Sequence, residues 1–355
     1  MFRTIILRIL LSPFALIYGI IVSLINFSYD IGLLKSSQFS IPVIGIGNLS
    51  IGGAGKTPHI EYLIDLLKDY INVATLSRGY KRETSGFRLV QHHDTALTVG
   101  DEPLQYRRKY RDIVVAVSES RAYAIPQIIQ NFPDIQAILL DDAFQHRSVK
   151  PGLNIMLTAY DMLFTEDYLL PSGRLREWRS GYKRAGIIIV SKCPPDLDEK
   201  TKSSVINKIN PLKDQRIFFT CYDYSHPYNF FNPEQKILLD DGLDIILLSA
   251  IAHTDYLLKF LDQQVHSISE IEYEDHHVFD QYDLERISKV FSNLEGTRKL
   301  ILTTEKDAMR LDLHRDLLEK MNIPIYVLTV KVKFLFGEGK QFDTEIKDFL
   351  LDFVV

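Results

Sequence analysis

Three features of this 355-residue chain predict an α/β fold, a parallel sheet flanked by helices. From residue 43 onward, short apolar runs alternate with helical patterns, as βα units require. A glycine-rich turn, Ser50-Ile-Gly-Gly-Ala-Gly-Lys-Thr57, separates the first apolar run from the first helical pattern. Polar residues suited to chemistry fall just beyond the ends of later apolar runs, where open α/β sheets bind ligands.

The bulk numbers fit a globular protein with room for two domains and a large core. Hydrophobic residues make up 46% and charged residues 25%, and the net charge of −5 argues against nucleic-acid binding. The two cysteines, Cys193 and Cys221, lie far apart and imply neither a disulfide framework nor a zinc site. Residues Ile9 to Phe27 carry no charge, with Arg3 and Arg8 before them and Asp30 and Lys35 after. Such a stretch is just long enough to span a bilayer or lie along its surface. A buried core helix and a secretory signal are the competing readings, the second without a clear cleavage pattern. The expected organisation is an N-terminal membrane-associated helix at 1–32, a nucleotide-binding domain at 33–212 and a smaller α/β domain at 213–355.

Strands are expected at Val43–Ile46, Val73–Leu76, Ile113–Val117, Ala137–Leu140, Asn154–Thr158 and Gly186–Val190. Helical patterns at His59–Tyr70, Glu102–Tyr110 and Arg121–Asn131 lie between them. After Pro211 the pattern restarts, with strands expected at Ile217–Tyr222, Ile245–Ala250, Ser267–Tyr273, Lys299–Thr303 and Ile325–Thr329. Helices fit Thr254–Asp262, Gln281–Ser292 and Arg315–Met321.

Strand, glycine-rich turn, Lys-Thr, helix is the order of a phosphate cradle, which makes the fold P-loop NTPase-like. Backbone amides of Ser50, Ile51, Gly52, Gly53, Ala54 and Gly55 can converge on phosphate oxygens. Lys56 adds a full charge at the helix N-terminus, and Thr57 can offer its hydroxyl to Mg²⁺. Ser50 stands where the usual loop has glycine, and Ile51 stands where the deviant loop of partitioning ATPases has a second lysine. Ala137-Ile-Leu-Leu-Asp-Asp142 resembles a Walker B strand that delivers an acid to Mg²⁺. Adjacent carboxylates on an extended chain point apart, so one of Asp141 and Asp142 can face the metal while the other holds a loop. His146 lies four residues beyond Asp142 and is a candidate contact to phosphate or substrate.

Asp101, in Gly100-Asp-Glu-Pro103, opens a helix and reads either as a cap or as an acceptor of a hydroxyl proton. A histidine of Asp275-His-His277, brought against it across an interdomain cleft, would form an acid–base pair. Leu170-Pro-Ser-Gly-Arg-Leu-Arg-Glu-Trp178 gathers Arg174, Arg176 and Glu177 in one loop suited to phosphate recognition. Arg78, in Leu76-Ser-Arg-Gly-Tyr80, and Arg121 follow other strands and can line the same mouth. Ser191-Lys-Cys-Pro194 is similar to the base-reading loop of GTPases, but proline replaces the guanine-reading acid, which favours ATP. Thr304-Glu-Lys-Asp307 is a second candidate near a base or a domain junction.

Together these motifs resemble the tetraacyldisaccharide 4′-kinase family of lipid A synthesis. They are Gly47-Asn-Leu-Ser-Ile-Gly-Gly-Ala-Gly-Lys-Thr-Pro58, Leu76–Tyr80, Gly100–Pro103, Asp141–His146, Leu170–Glu177, Asp275–His277 and Thr304–Asp307, in family order over most of the chain. The resemblance implies a P-loop kinase that uses ATP and Mg²⁺. Its lipid substrate would be a tetraacylated glucosamine disaccharide 1-phosphate, phosphorylated at the 4′-hydroxyl. It also implies a place on the cytoplasmic face of the bacterial inner membrane, with no nucleic-acid partner and no obligate protein partner. Asp101 would be the catalytic acid–base residue paired with His276, and Asp141 and Asp142 would belong to the Mg²⁺ and catalytic network, with Thr57 and Asp142 as metal ligands. His146, Arg174, Arg176 and Glu177 would contact substrate. The competing function is a P-loop ATPase that switches a membrane partner, which would need no hydroxyl acceptor.

Overall fold

The computed structural model describes residues 2–353, with side chains from Arg8 onward; Met1 and the Arg3 side chain of the expected anchor lie outside that range. In chain order the main elements begin with α1 (Phe2–Asp30), β1 (Val43–Asn48), α2 (Lys56–Leu67), β2 (Val73–Ser77), β3 (Arg88–Leu89), α3 (Ala96–Val99) and α4 (Asp101–Lys109). There follow β4 (Val114–Val117), α5 (Arg121–Asn131), β5 (Ala137–Leu140), β6 (Leu153–Ala159), β7 (Ile187–Ser191), α6 (Glu199–Ile209), β8 (Arg216–Tyr224) and β9 (Tyr228–Asn229). The remainder is β10 (Asp244–Ser249), α7 (Asp255–Leu261), β11 (Ser267–Glu272), α8 (Gln281–Asn293), β12 (Lys299–Thr304), α9 (Glu305–Leu311), α10 (Arg315–Lys320), β13 (Ile325–Leu328), β14 (Val330–Phe334) and α11 (Gly339–Leu351).

Contacts group these residues into two units that interleave along the chain. The first holds the chain up to Arg78, Asp112–Tyr222 and the chain from Val332 on; the second holds Gly79–Arg111 and Asp223–Lys331. A linear division at 212/213 differs from this in three places. Gly79–Arg111 leaves the first unit, the chain returns to it through α11, and β8 belongs to it, pairing in parallel with β7 through Ile188↔Ile217 and Ile189↔Phe218. The apolar run of β8 therefore belongs to the first sheet, between β7 and β14, instead of opening a second domain.

In the first unit the strand order is β14-β8-β7-β6-β1-β5-β2-β4. The chain runs from β1 to one side through β2, β4 and β5, then to the other through β6, β7 and β8. That reversal beside β1 marks the switch point at whose strand C-terminal ends open α/β sheets bind ligands. β1 is buried along its whole length, as a central parallel strand is on both faces. A Cβ on Gly47 would meet Phe144 at 2.7 Å, so glycine there lets the acid-bearing turn close on β1. The second unit has the order β11-β10-β12-β13-β9, parallel except for β9 against β13. Its core joins Ile245 and Leu247 of β10 and Leu300 and Leu302 of β12 to Leu257 and Leu261 of α7.

α2 buries Ile60, Leu63, Ile64 and Leu67, an i, i+3, i+4, i+7 stripe, against the sheet. Each such side chain contributes about 1.5–3 kcal/mol by leaving water. His59 is buried in the same face; Nδ1 donates to the Gly55 carbonyl at 2.7 Å, so Nε2 accepts from Thr220 Oγ1 at 3.0 Å. Burial pushes this imidazole from 6.5 down to about 4, partly offset by the Gly55 bond. The native state thus binds fewer protons than the unfolded chain below pH 6.5. Stability is full above that pH and is lost by roughly 3 kcal/mol as pH falls towards 4. Urea titrations at neutral and acid pH check this: His59→Gln is expected to flatten the acid slope.

α1 packs on the first unit by one side only. Tyr18 Oη donates to the Arg176 carbonyl at 2.7 Å, Trp178 Nε1 donates to Ser23 Oγ at 2.9 Å, and Arg147 Nη1 donates to the Asn26 carbonyl at 2.8 Å. On the other side Leu10, Phe14, Ile17, Ile21 and Leu24 are exposed. Arg8–Asp30 is long and apolar enough to cross a membrane by length and composition.

Candidate active site

The glycine-rich loop joins the end of β1 to α2. Gly55 precedes α2 with φ 81°, a left-handed conformation, and a Cβ there would meet Tyr222 Oη at 2.3 Å. No side chain caps α2, so the amides of its first turn remain for an anion. The loop is held from two sides. Ile51 N donates to the Arg174 carbonyl at 2.7 Å, and Arg176 N donates to the Leu49 carbonyl at 2.8 Å, around an antiparallel Ser50↔Leu175 bridge. Ser191 Oγ donates to the Ala54 carbonyl at 2.8 Å, so the Ser191–Pro194 loop buttresses the phosphate loop.

Lys56 Nζ donates to Asn48 Oδ1 at 3.3 Å and lies 3.6 Å from Asp142 Oδ1. Arg176 Nη1 reaches both oxygens of Asp142, at 3.1 and 3.0 Å. Loss of hydration raises the Asp142 carboxyl, but Lys56, Arg176 and Arg121 outweigh it and hold the group well below the usual carboxylate range. Asp142 is therefore held as the carboxylate at neutral pH. The two acids diverge: Asp142 takes φ 45° and faces Lys56, whereas Asp141 is buried, with Ser77 Oγ donating to its Oδ2 at 3.4 Å.

Several expected contact residues sit deeper than a substrate-facing role implies. Arg121 is 1% exposed and donates through Nη2 to the carbonyls of Asp141 and Asp142, the latter at 3.1 Å. Burial pushes its guanidinium down to about 10 against the pull of those two acids. It fixes the acid turn from behind. Glu177 is buried and takes a two-pronged bond from Arg184 at 2.7 and 2.8 Å, with Gln145 Nε2 donating to it at 3.2 Å. Arg174 is tied to Asp167 at 3.1 Å. Arg78 is exposed after β2, and His146 is partly buried, pushed down to about 4 by burial and then by Arg121. Glu177→Ala is expected to cost about 3 kcal/mol of folding stability, since it strands the Arg184 charge; a denaturant midpoint measures it.

In the second unit Asp101 begins α4 and is 4% exposed. His276 Nδ1 lies 2.9 Å from Asp101 Oδ2. The pair thus forms within one unit rather than across an interdomain cleft, because the Gly79–Arg111 excursion carries α4 into the unit that bears the histidine loop. His276 takes φ 61° and packs its ring 4.8 Å from that of Tyr80. His277 turns away to Asp283 at 2.7 Å. Arg310 donates to Asp101 Oδ2 from Nε at 3.0 Å and lies within 2.9 Å through Nη2. Burial raises the Asp101 carboxyl, but Lys306, His276 and Arg310 override it, so it is held well below its ordinary value.

The family model described as Tetraacyldisaccharide-1-P 4′-kinase (LpxK) matches residues 7–351. This chain belongs to that family. Tetraacyldisaccharide 4′-kinases share its length: that of Bacteroides thetaiotaomicron is 42% identical over 351 residues, covering 95% of this chain and 91% of the relative. That of Flavobacterium johnsoniae is 42% identical, with 97% of each chain covered. Among solved structures, LpxK from Aquifex aeolicus in complex with ATP superposes with a TM-score of 0.71 at 26% identity, covering 97% of this chain and 99% of that one. The chain is a kinase of mixed α/β fold.

The sequence pointed to no individual role for Asn48, Gln145, Arg184 or Arg310, and placed Lys306 only within a motif near a base or a domain junction. Gln145 bridges Asn48, Arg176 and Glu177. The spacing of Lys306 and Arg310, one helical turn apart on α9, was the signal for a shared face.

Proposed function

We propose that this chain phosphorylates the 4′-hydroxyl of a tetraacyl glucosamine disaccharide 1-phosphate with ATP, in lipid A synthesis. Membership of the kinase family over residues 7–351 carries the reading. ATP would lie with its phosphates in the Ser50–Gly55 loop, against Lys56 and the first-turn amides of α2, while the Ile51 amide stays on the Arg174 carbonyl. The residues suit Mg²⁺: the Thr57 hydroxyl and the ionised Asp142 carboxylate are hard oxygen donors of the kind that share the metal with phosphates. When bound, the metal would offset charge on the phosphoryl oxygens. Lys56 and Arg176 supply further positive charge, while Arg121 and Asp141 keep the acid turn in place. Asp101, oriented by His276, accepts the sugar hydroxyl proton as the new O–P bond forms and ADP leaves. Arg78, His146 and Arg174 are assigned to substrate contact.

The membrane helix suits a four-chain lipid, since each CH₂ held in the bilayer is worth about 0.8 kcal/mol. α1 touches the body from Ser172 Oγ on the Arg8 carbonyl to Arg147 on Asp30. Contacts along this length favour a helix lying along the cytoplasmic face of the inner membrane. Replacing Leu10, Phe14, Ile17 and Ile21 by serine is expected to move the protein from the vesicle to the soluble fraction in flotation, with its circular dichroism retained.

Labelled ATP incubated with and without the lipid disaccharide tests the function. Transfer of label to the lipid is the expected result. Full-rate ATP hydrolysis independent of lipid would favour the ATPase switch and overturn the assignment.

A further inference from the structure

The Thr304-Glu-Lys-Asp307 motif has no part in nucleotide or substrate binding as described above. Its lysine lies against the acid–imidazole pair. Lys306 Nζ is 3.1 Å from His276 Nε2, 3.3 Å from Glu102 Oε1 and 3.5 Å from Asp275 Oδ1. We propose that Lys306 is a positioning residue that holds His276 as the neutral tautomer, protonated on Nδ1, so that the ring always presents N–H to Asp101. The inference rests on the reading of Asp101 as proton acceptor.

An ammonium only donates hydrogen bonds, so a ring nitrogen 3.1 Å from it must accept. With Nε2 accepting, the one proton of a neutral imidazole sits on Nδ1, 2.9 Å from Asp101 Oδ2. An imidazolium would instead aim a second N–H at a cation. The nearest alternative acceptor, Asp275 Oδ2, is 3.8 Å from Nε2, beyond a hydrogen bond. Three carboxylates, Asp101, Glu102 and Asp275, oppose loss of the lysine's own proton and raise it above its usual value despite burial. α9 sets this geometry: Thr304 caps it through the Asp307 amide, and Lys306 and Arg310 share one face. Arg310 also donates to the Ala250 carbonyl at 3.2 Å and the His277 carbonyl at 3.3 Å, fixing the loop that carries the ring.

Among the described residues, the groups that meet the His276 ring are Asp101 from α4, Lys306 from α9, Asp275 from its own loop and Tyr80, with Glu102 behind Lys306 and Arg310 behind Asp101. Lys81 completes the set, reaching the Asp275 and His276 carbonyls at 3.4 and 3.5 Å. Removing Lys306 takes away the cation that faces Nε2, so an N–H there is no longer opposed, and Asp275 Oδ2 is left as its nearest carboxylate oxygen at 3.8 Å.

The test is ¹⁵N NMR of the full-length protein labelled in its ten histidines, with His276→Gln to identify the signals. The native ring is expected to show a protonated Nδ1 and a bare Nε2, unchanged over about pH 6 to 8. Lys306→Met is expected to show both nitrogens protonated at the acid end, and Lys306→Arg to restore the native pattern. In parallel, kcat of Lys306→Met should fall about tenfold per pH unit below the new ionisation, a limb absent from the native enzyme and from Lys306→Arg. A native ring protonated on Nε2, or a Lys306→Met profile and spectrum identical to native, overturns the proposal. Full turnover by Asp101→Asn would sink the role of Asp101 instead, and leave the NMR result for Lys306 standing.

Discussion

Asp101→Asn is expected to lower kcat by about 10²–10⁴-fold, the range for losing a positioned proton acceptor, with ATP affinity unchanged. The variant keeps the shape of the side chain and removes the charge. The native carboxylate receives His276 and Arg310 at Oδ2 and the Glu102 amide at Oδ1, 3.0 Å away. That leaves Oδ1 with capacity for the sugar hydroxyl. In the proposed mechanism, a carboxylate held this far below the usual range would orient the hydroxyl and take its proton late, once bonding to phosphorus has made the oxygen acidic. Steady-state kinetics with the lipid acceptor, beside equilibrium ATP binding, checks the split. Loss of ATP binding would make Asp101 a nucleotide or folding residue.

Lys56→Met is expected to lower kcat by about 10²–10³-fold, the size of losing one preorganised charge-stabilising donor. Here ATP affinity is expected to fall as well, since in the proposed mode of binding the ammonium would meet the phosphates in the ground state and in the transition state. Within the protein, Lys56 and Arg176 share Asp142. Without Lys56 the acid turn keeps Arg176 and Arg121, so the fold is expected to survive. Isothermal titration with ATP and a thermal melt separate the two effects. An unchanged ATP affinity would show that Lys56 does not touch the phosphates.

The parts of this molecule written in contiguous sequence were legible before any coordinates. β1, β5 and β7 are buried on both faces, so they appear as unbroken apolar runs. The phosphate loop and the acid pair each lie within a few residues of a strand end, and their geometry follows from local chain direction. β8 was legible as a strand but not as a neighbour of β7, because a parallel partner joined through a helix leaves no mark on the strand itself. Glu177, in a basic loop, and Arg121, at a helix start, read as substrate-contacting residues. Only their partners, Arg184 and the carbonyls of Asp141 and Asp142, show them to be buried supports.

The order of residues alone was enough for the α/β class, the glycine-rich loop before Lys56, the paired acids, the apolar helix at the start and the family. Tertiary structure alone decided how the chain interleaves into two units, that His276 rather than His277 meets Asp101 over 175 residues of separation, and that Lys306 stands behind the ring. The reason is physical. Backbone propensity and apolar period act over a few residues and are carried by each segment, whereas the proton state of a buried group depends on charges delivered by remote segments.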